Sequence, residues 1–448
     1  MDLMKFYNKS PVWAQNIACS FAGAGVRSRK YGRREKRELP AFLEREHWDY
    51  QSLCSFRDES LRRMIRFCAV HVPYDRDLFY TLSISPEEIR TIEDLQRLPI
   101  LTKQTVKERF QDFIADDANL RDAMLMNTSG TTGSSFSFYY SNDAYAKQWA
   151  AEERYERSVG VTGREWRAYF GGRAIVPLAC QHAPFYRINY AMKEVMFSSF
   201  HLSEHHFPSY LKGLERFQPT YWHGYPSSIG ALAQYMLDQG IRLHYRPNVI
   251  LLASEQVTEE TVRRIETAFQ IRPLQNYAQT EQVAHIRQRP DGRMFVVEDL
   301  TAVELIALPG TNQSRVVGST LTNYVMPLLR YDTSDLVTWR MTSEGREILS
   351  IDGRLEDDIV FRDGGRVRRL SRIFHDQPQI KEAQIVQKSM DLVEFRVVRA
   401  TGYSVSDERR LYASAQSYLQ DHIGFQIEYV DSIERTKNGK VKFVVSEL

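Results

Sequence analysis

Five short segments carry residues whose types and spacing could do chemistry. Asn127-Thr128-Ser129-Gly130-Thr131-Thr132-Gly133-Ser134-Ser135 crowds hydroxyls and glycines together. Glycine lets backbone N–H groups approach an anion and each hydroxyl adds a donor, so the segment suits a loop that wraps phosphate. A Walker loop would need G-x-x-x-x-G-K-[ST], and no lysine stands at that place. Taken alone, the composition fits a flexible polar loop equally. Gln275-Asn276-Tyr277-Ala278-Gln279-Thr280-Glu281 closes a strand-like run, and a carboxylate beyond a strand's carboxyl end can hold Mg²⁺ or simply face solvent. Arg330-Tyr331-Asp332-Thr333-Ser334-Asp335-Leu336 offers an acid that could accept hydrogen bonds from a ribose, or an ordinary turn. Gly353-Arg354-Leu355-Glu356-Asp357-Asp358 clusters arginine and acids. In Arg435-Thr436-Lys437-Asn438-Gly439-Lys440, a turn at Asn438-Gly439 would present Lys440 as a mobile cation suited to developing negative charge. A lysine near a chain end is otherwise solvent-facing.

The elements that must position these segments alternate. Apolar residues at three- and four-residue steps predict helices between Pro40 and about Asp122, and Ser85-Pro86-Glu87-Glu88 has the cap, proline and early acids of a helix start. Asn142 to Val159 and Thr258 to Phe269 read as further helices, and Val249 to Ala253 and Leu274 to Tyr277 as strands. This alternation predicts α/β layers. Beyond Phe295 short apolar runs predict mainly strands, and past Gly353 a small α+β unit follows, with a helix over about Gln377 to Glu382 and another over Ser406 to Leu419. The expected division is 1–352, with 1–60 as a helical extension, and 353–448.

Composition narrows the class. Lys+Arg 59 against Asp+Glu 57 leaves a net charge of +2, without the basic excess of a nucleic-acid binder. The run Arg27 to Arg37 is a local exception, read as a solvated face or as a contact for acidic lipid, RNA or a partner. Cys19, Cys54, Cys68 and Cys180 are scattered and frame no disulfide set, as in a reducing compartment. Ile17 to Gly25 is too short to span a bilayer, and Met1 to Lys5 lacks the basic start of a signal peptide, so a helix of the folded chain and a cytoplasmic location are expected. His201, His205 and His206 could hold a metal, line a pocket or lie on the surface.

In their order and spacing the five segments resemble those of the adenylate-forming superfamily: a TSGTTG loop, YGxTE-like and YRTGD-like segments, GRxDD and a terminal TxxGK. Leu98 to Lys103, His223 to Ser228 and Tyr7 to Pro11 resemble its phenylacetate–CoA ligase and capsular-polysaccharide-associated branch. The resemblance implies an α/β fold of adenylate-forming type, with a large multi-layer N-terminal domain and a small α+β C-terminal domain on a hinge. It implies activation of a carboxylic acid by ATP to an acyl-AMP, then transfer to a thiol such as coenzyme A, with a carrier-protein thiol or an amine as the alternative acceptor. Thr128, Ser129, Gly130, Thr131, Thr132 and Gly133 would hold the β- and γ-phosphates. Ser254, Glu255, Asn276 and Tyr277 would flank adenine, and Thr280 would meet the α-phosphate. Glu281 would take Mg²⁺, and Asp335 the ribose with Arg354 nearby. Lys440 would bridge ribose and carboxylate oxygens, Glu356 would be the hinge, and His223, Gly224 and Tyr225 would border the acid. A nucleotide-binding protein without catalysis is the third reading, and Glu281 and Lys440 together speak against it. Four positions depart from the pattern: Ala278 and Ser334 replace glycines, Asp332 replaces Arg or Lys, and Glu356 replaces the hinge Asp. Oligomeric state is left open by the sequence.

Overall fold

A computed structural model describes residues 3–128, 136–354, 359–362, 366–367, 370–374, 377, 379–419, 422–436 and 439–448. Two compact units are present: Met1–Gly23, Gly163–Gln275 and Gly353–Leu448 make the first, and Ala24–Thr162 with Asn276–Asp352 the second.

In the second unit, the helix Tyr50–His71 starts where Asp49 accepts the Ser52 N–H at 2.7 Å. Its Leu61, Met64, Ile65 and Cys68 recur at helical spacing and pack on Ala302, Leu321 and Leu329. Thr301–Ala307, Ser314–Thr320, Tyr331–Thr342, Gly345–Arg354, Met294–Val296, His285–Gln288 and Leu274–Ala278 lie side by side in that order. Helices are pinned to the strand region through buried charge. Asp299 accepts from Arg45 at 2.7 Å and from Arg154 at 2.8 and 2.9 Å. Glu298 accepts from Arg57 at 2.7 Å and from Arg346 at 2.7 and 2.6 Å. Burial alone would raise the Asp299 carboxyl, but the two guanidinium groups hold it below the usual carboxylate range. The hairpin Ala123–Thr128 and Phe136–Ser141 brings in Phe138 and Tyr140, which pack with Val283, Met326 and Tyr331.

The first unit orders Val249–Ala253, Tyr221–Gly224, Arg167–Phe170, Glu194–Phe197 and Tyr186–Asn189. The first four run parallel and the last is antiparallel. Trp222, Ile250, Leu252 and Phe170 bury on the helices Phe207–Phe217, Pro226–Asp238 and Glu259–Phe269 through Leu214, Ile229, Leu232 and Ile265. The same unit holds a four-stranded sheet in the order Gly424–Tyr429, Leu392–Arg399, Ile380–Ser389, Val444–Ser446. The helix Val405–Leu419 covers it with Leu411, Ala415 and Leu419.

Two local expectations are corrected. Among the described residues no helix spans Gln377 to Glu382; Ile380 to Glu382 instead open the strand Ile380–Ser389, because Arg264 donates to the carbonyls of Ile380 at 2.8 Å and Lys381 at 3.0 Å and the Ala400 N–H to that of Gln379 at 2.9 Å. The helix start at Ser85 has its capping box but yields only the three-residue 3₁₀ turn Pro86–Glu88.

Asp75, in the helix Pro73–Leu82, is buried, with its Oδ2 lacking a hydrogen-bond partner. Burial raises its carboxyl from 3.8 to about 7, a shift the Cys68 thiol only moderates. The folded state thus retains a proton that the unfolded chain has released, and this group's contribution to stability falls as pH rises from about 4 to about 7. Asp75→Asn is therefore expected to raise stability at pH 8 by about 4 kcal/mol and to leave it unchanged near pH 4. Thermal melts of both proteins across that range check this, and equal melting at pH 8 would reject it.

Candidate active site

In the first unit the parallel strands end together at Phe170, Gly224 and Ala253. Ligands of such sheets bind beyond the carboxyl ends of strands. Gly224 is required by contact: a Cβ there would lie 2.3 Å from the Phe170 carbonyl oxygen. That closeness lets the Tyr225 N–H donate to Phe170 O at 2.8 Å. The His223 ring lies 6.1 Å from that of Tyr169.

Past Tyr225 the helix Pro226–Asp238 begins, and its first turn meets Glu255 from the loop after Val249–Ala253. Glu255 accepts from the Ser227 N–H at 3.0 Å and the Ser227 hydroxyl at 3.1 Å. A carboxylate at a helix N-terminus also meets a favourable dipole. The same carboxylate accepts the Val441 backbone N–H at 2.9 Å. Burial pushes its carboxyl up, against these donors and the charge of Arg435. Arg435 donates to Ser227 Oγ at 3.0 Å and Glu382 Oε1 at 2.9 Å.

Glu255, Ser227 and Arg435 thus seat the loop that carries Lys440. Thr436 N–H donates to Lys440 O at 2.9 Å and Gly439 N–H to Thr436 O at 2.8 Å. Gly439 has φ 72°, and a Cβ there would lie 2.6 Å from Ser199 Oγ, so only glycine fits. The Lys440 Nζ lies 5.8 Å from the centre of the Tyr225 ring. The structure therefore brings together Glu255, Tyr225 and Lys440, which are far apart in sequence. Ser227 and Arg435 are additional to the sequence reading. The available signal was the position of Arg435 at the head of its T-x-x-G-K run.

In the second unit the Tyr277 hydroxyl donates to Asp335 Oδ2 at 2.7 Å, joining positions 58 residues apart. Burial and that carboxylate raise the Tyr277 phenol well above its ordinary value. Gln279 fixes the pair: its Nε2 donates to the Tyr277 hydroxyl at 2.6 Å, and its Oε1 accepts the Ala284 N–H at 3.1 Å. The Asp335 N–H is held by Thr333 Oγ1 at 3.1 Å. Glu281 accepts from the Tyr331 hydroxyl at 3.1 Å, a contact invisible in the sequence. Asn276 donates to Glu152 at 3.4 Å, and its Oδ1 is buried without a hydrogen-bond partner. Thr280 is half-buried in the following turn, and Ser254 is exposed with φ 71°. Thr128 and Arg354 each end a strand. Ser129, Gly130, Thr131, Thr132, Gly133 and Glu356 lie outside the described residues.

Residues 359–447 match the family described as the CapK C-terminal domain. The chain is 24% identical over 452 residues to Protein CapK of Staphylococcus aureus, covering 99% of each. It superposes on 2-hydroxyisobutyryl-CoA ligase in the postadenylation state, in complex with 2-HIB-AMP, with a TM-score of 0.66 at 16% identity, covering 87% of this chain and 89% of that one. The same ligase with 2-HIB-AMP and CoA in the thioesterification state gives 0.54 at 16% identity over 89% and 90%. The fold is that of the adenylate-forming ligases.

Against that fold the departures have local explanations. Ala278 lies within the strand Leu274–Ala278, paired with His285, so the backbone there is extended and open to alanine. Ser334 does carry a glycine-like backbone, φ 60°, supported by its N–H donating to Asp332 Oδ1 at 2.9 Å. Asp332 is oriented by Arg315, whose Nε donates at 2.8 Å. Two of the three histidines are taken up in packing: the His201 and His206 rings lie 5.1 and 3.9 Å from Phe185, and His201 Nδ1 pairs with Ser198 Oγ at 2.8 Å, while His205 is exposed. Among the described residues no three metal-ligating side chains converge. Glu281, oriented through one oxygen by Tyr331, is a single hard donor of the kind Mg²⁺ takes alongside phosphate oxygens.

Glu255→Gln keeps the shape but turns one acceptor into a donor facing a backbone N–H. Losing one charge-assisted hydrogen bond, about 1.5–3 kcal/mol, should open the Lys440 loop roughly ten- to a hundredfold more often. Hydrogen–deuterium exchange of the peptide containing Val441 measures this. Unchanged protection would show that Glu255 does not hold the loop.

Proposed function

We propose that this protein activates a carboxylic acid with ATP and passes the acyl group to a thiol, coenzyme A being the acceptor favoured here. One carboxylate oxygen attacks the α-phosphorus, and the bond to the bridging oxygen breaks. Pyrophosphate leaves with that electron pair, and an acyl-AMP remains. A thiolate sulfur then attacks the acyl carbon and AMP departs. The observation that carries this reading is the seating of Lys440: a terminal-loop cation held by Glu255, Ser227 and Arg435 with its Nζ over Tyr225, at the ends of the parallel strands. Supporting it are the adenylate-forming fold and the CapK-type C-terminal segment.

In this reading Lys440 stabilises charge developing on the carboxylate and α-phosphate oxygens. His223, Gly224 and Tyr225 border the acid, and Ser254, Glu255, Asn276 and Tyr277 flank adenine. Asp335, fixed by Tyr277 and Thr333, accepts from the ribose with Arg354 nearby. Thr128, Ser129, Gly130, Thr131, Thr132 and Gly133 hold the outer phosphates, and Thr280 meets the α-phosphate. Glu281 would hold Mg²⁺, which supplies neutralisation of phosphate charge when bound. Residues 353–448 form a C-terminal domain that turns about Glu356 between the half-reactions. An amine or a carrier-protein thiol in place of coenzyme A would leave the first step unchanged.

A panel of carboxylic acids assayed for pyrophosphate release tests the first step, and release with none would overturn the proposal. For an accepted acid, Lys440→Ala should slow ATP–pyrophosphate exchange by about 10²–10³-fold, the range for losing one transition-state donor. Its KM for ATP should change little, and supplied acyl-AMP should still be consumed by coenzyme A. Exchange at the wild-type rate would remove Lys440 from the chemistry. Glu281→Gln should raise the Mg²⁺ concentration giving half-maximal activity by roughly tenfold, because one anionic ligand is lost. An unchanged midpoint would place the ion elsewhere.

A further inference from the structure

The N-terminal helices are polar toward the protein and apolar toward the outside. The helix Val12–Lys30 lies along the edge strand Tyr186–Asn189. Its Asn16 Oδ1 accepts the Ile188 N–H at 3.0 Å, and Ser20 Oγ accepts the Tyr190 N–H at 3.0 Å. Gln15 Oε1 accepts from Arg187 at 2.5 Å, while its Nε2 donates to the carbonyls of Tyr7 and Ser10 at 3.0 Å each. The Tyr7 hydroxyl of the preceding helix Leu3–Lys9 donates to Ile175 O at 2.5 Å. Polar side chains thus occupy the face where a surface helix ordinarily puts its apolar stripe.

The other face holds Trp13, Ile17 and Phe21, which share one side at four-residue steps. Their exposures are 67%, 61% and 83%, and Phe6 on the first helix is 65% exposed. Four large apolar side chains left in water within one short segment mark a surface built for a partner. The segment's charge indicates which kind. From residue 3 to residue 23, the part of the segment in the same compact unit as the stripe, the sequence holds Lys5 and Lys9 and no Asp or Glu. Lys5 and Lys9 are exposed. A two-fold contact with a second copy would set this uniformly basic segment against itself. An anionic lipid surface instead takes both features: aromatic and aliphatic groups enter the acyl boundary while bases meet acidic headgroups. Among the described residues no helix is long and apolar enough to cross a membrane, which leaves interfacial binding.

We propose that Phe6, Trp13, Ile17 and Phe21, flanked by Lys5 and Lys9, dock the protein onto the surface of an anionic lipid bilayer. The full-length protein is mixed with vesicles of phosphatidylcholine alone or with about 30 mol% phosphatidylglycerol and sedimented. Binding should require the anionic lipid and weaken as salt rises, because screening shortens the reach of the bases. The double variant Ile17→Ser, Phe21→Ser should partition at least tenfold more weakly, with melting temperature unchanged. Lys5→Glu, Lys9→Glu should lose the preference for anionic lipid. No sedimentation with anionic vesicles, or equal binding by the folded serine variant, would overturn the proposal. So would a dimer in sedimentation velocity that the serine variant dissolves, since a second copy would then cover the stripe.

Discussion

A carboxylate taken out of water must find donors, and that constraint organises both units. Glu298 and Asp299 are consecutive in sequence and buried, and each is met by two arginines from elements distant along the chain. Removing one arginine would leave charge stranded in low dielectric, so each partner is fixed by the others. Glu304 repeats the device with Arg330, whose Nη2 donates at 2.7 Å. Glu255 applies it at the proposed catalytic loop, where the donors are main-chain and side-chain groups of separate segments. Asp75 departs from this pattern, a buried acid whose Oδ2 has no donor, and its affinity for protons rises accordingly; Glu35, buried with an unpartnered Oε1, is a second such acid.

Much of the fold was legible because periodicity and caps are local. The helix expected from Thr258 runs over Glu259–Phe269, with Thr258 as its cap accepting the Thr261 N–H at 3.2 Å, and the helix from Asn142 and the strand Val249–Ala253 have the expected starts. The failure at Gln377 to Glu382 has a non-local cause. Those residues carry no decisive pattern, and the guanidinium that takes their carbonyls lies more than a hundred positions upstream, at Arg264.

The candidate site was legible only in its residue types. That Asp335 and Lys440 matter was suggested by their motifs, but not that a tyrosine hydroxyl orients Asp335 or that Glu255 grips the lysine loop. Pairing of this kind depends on strand ends meeting in space, which no linear spacing encodes. The N-terminal helices were a different case: the basic run was visible in the sequence, while the reversal of polar and apolar faces required knowing which side the edge strand occupies.

The grip on the lysine loop has an evolutionary corollary. Glu255 reaches Val441 through its backbone amide, so the contact is blind to which side chain stands there. This hydrogen bond therefore makes no demand of its own on the side chain at position 441. Proline alone is barred, because it has no N–H to give. Glu255, by contrast, serves three donors at once and can change only together with its neighbours, so sequence variation should be lopsided across the contact, less constrained by it on the loop side than on the acid side.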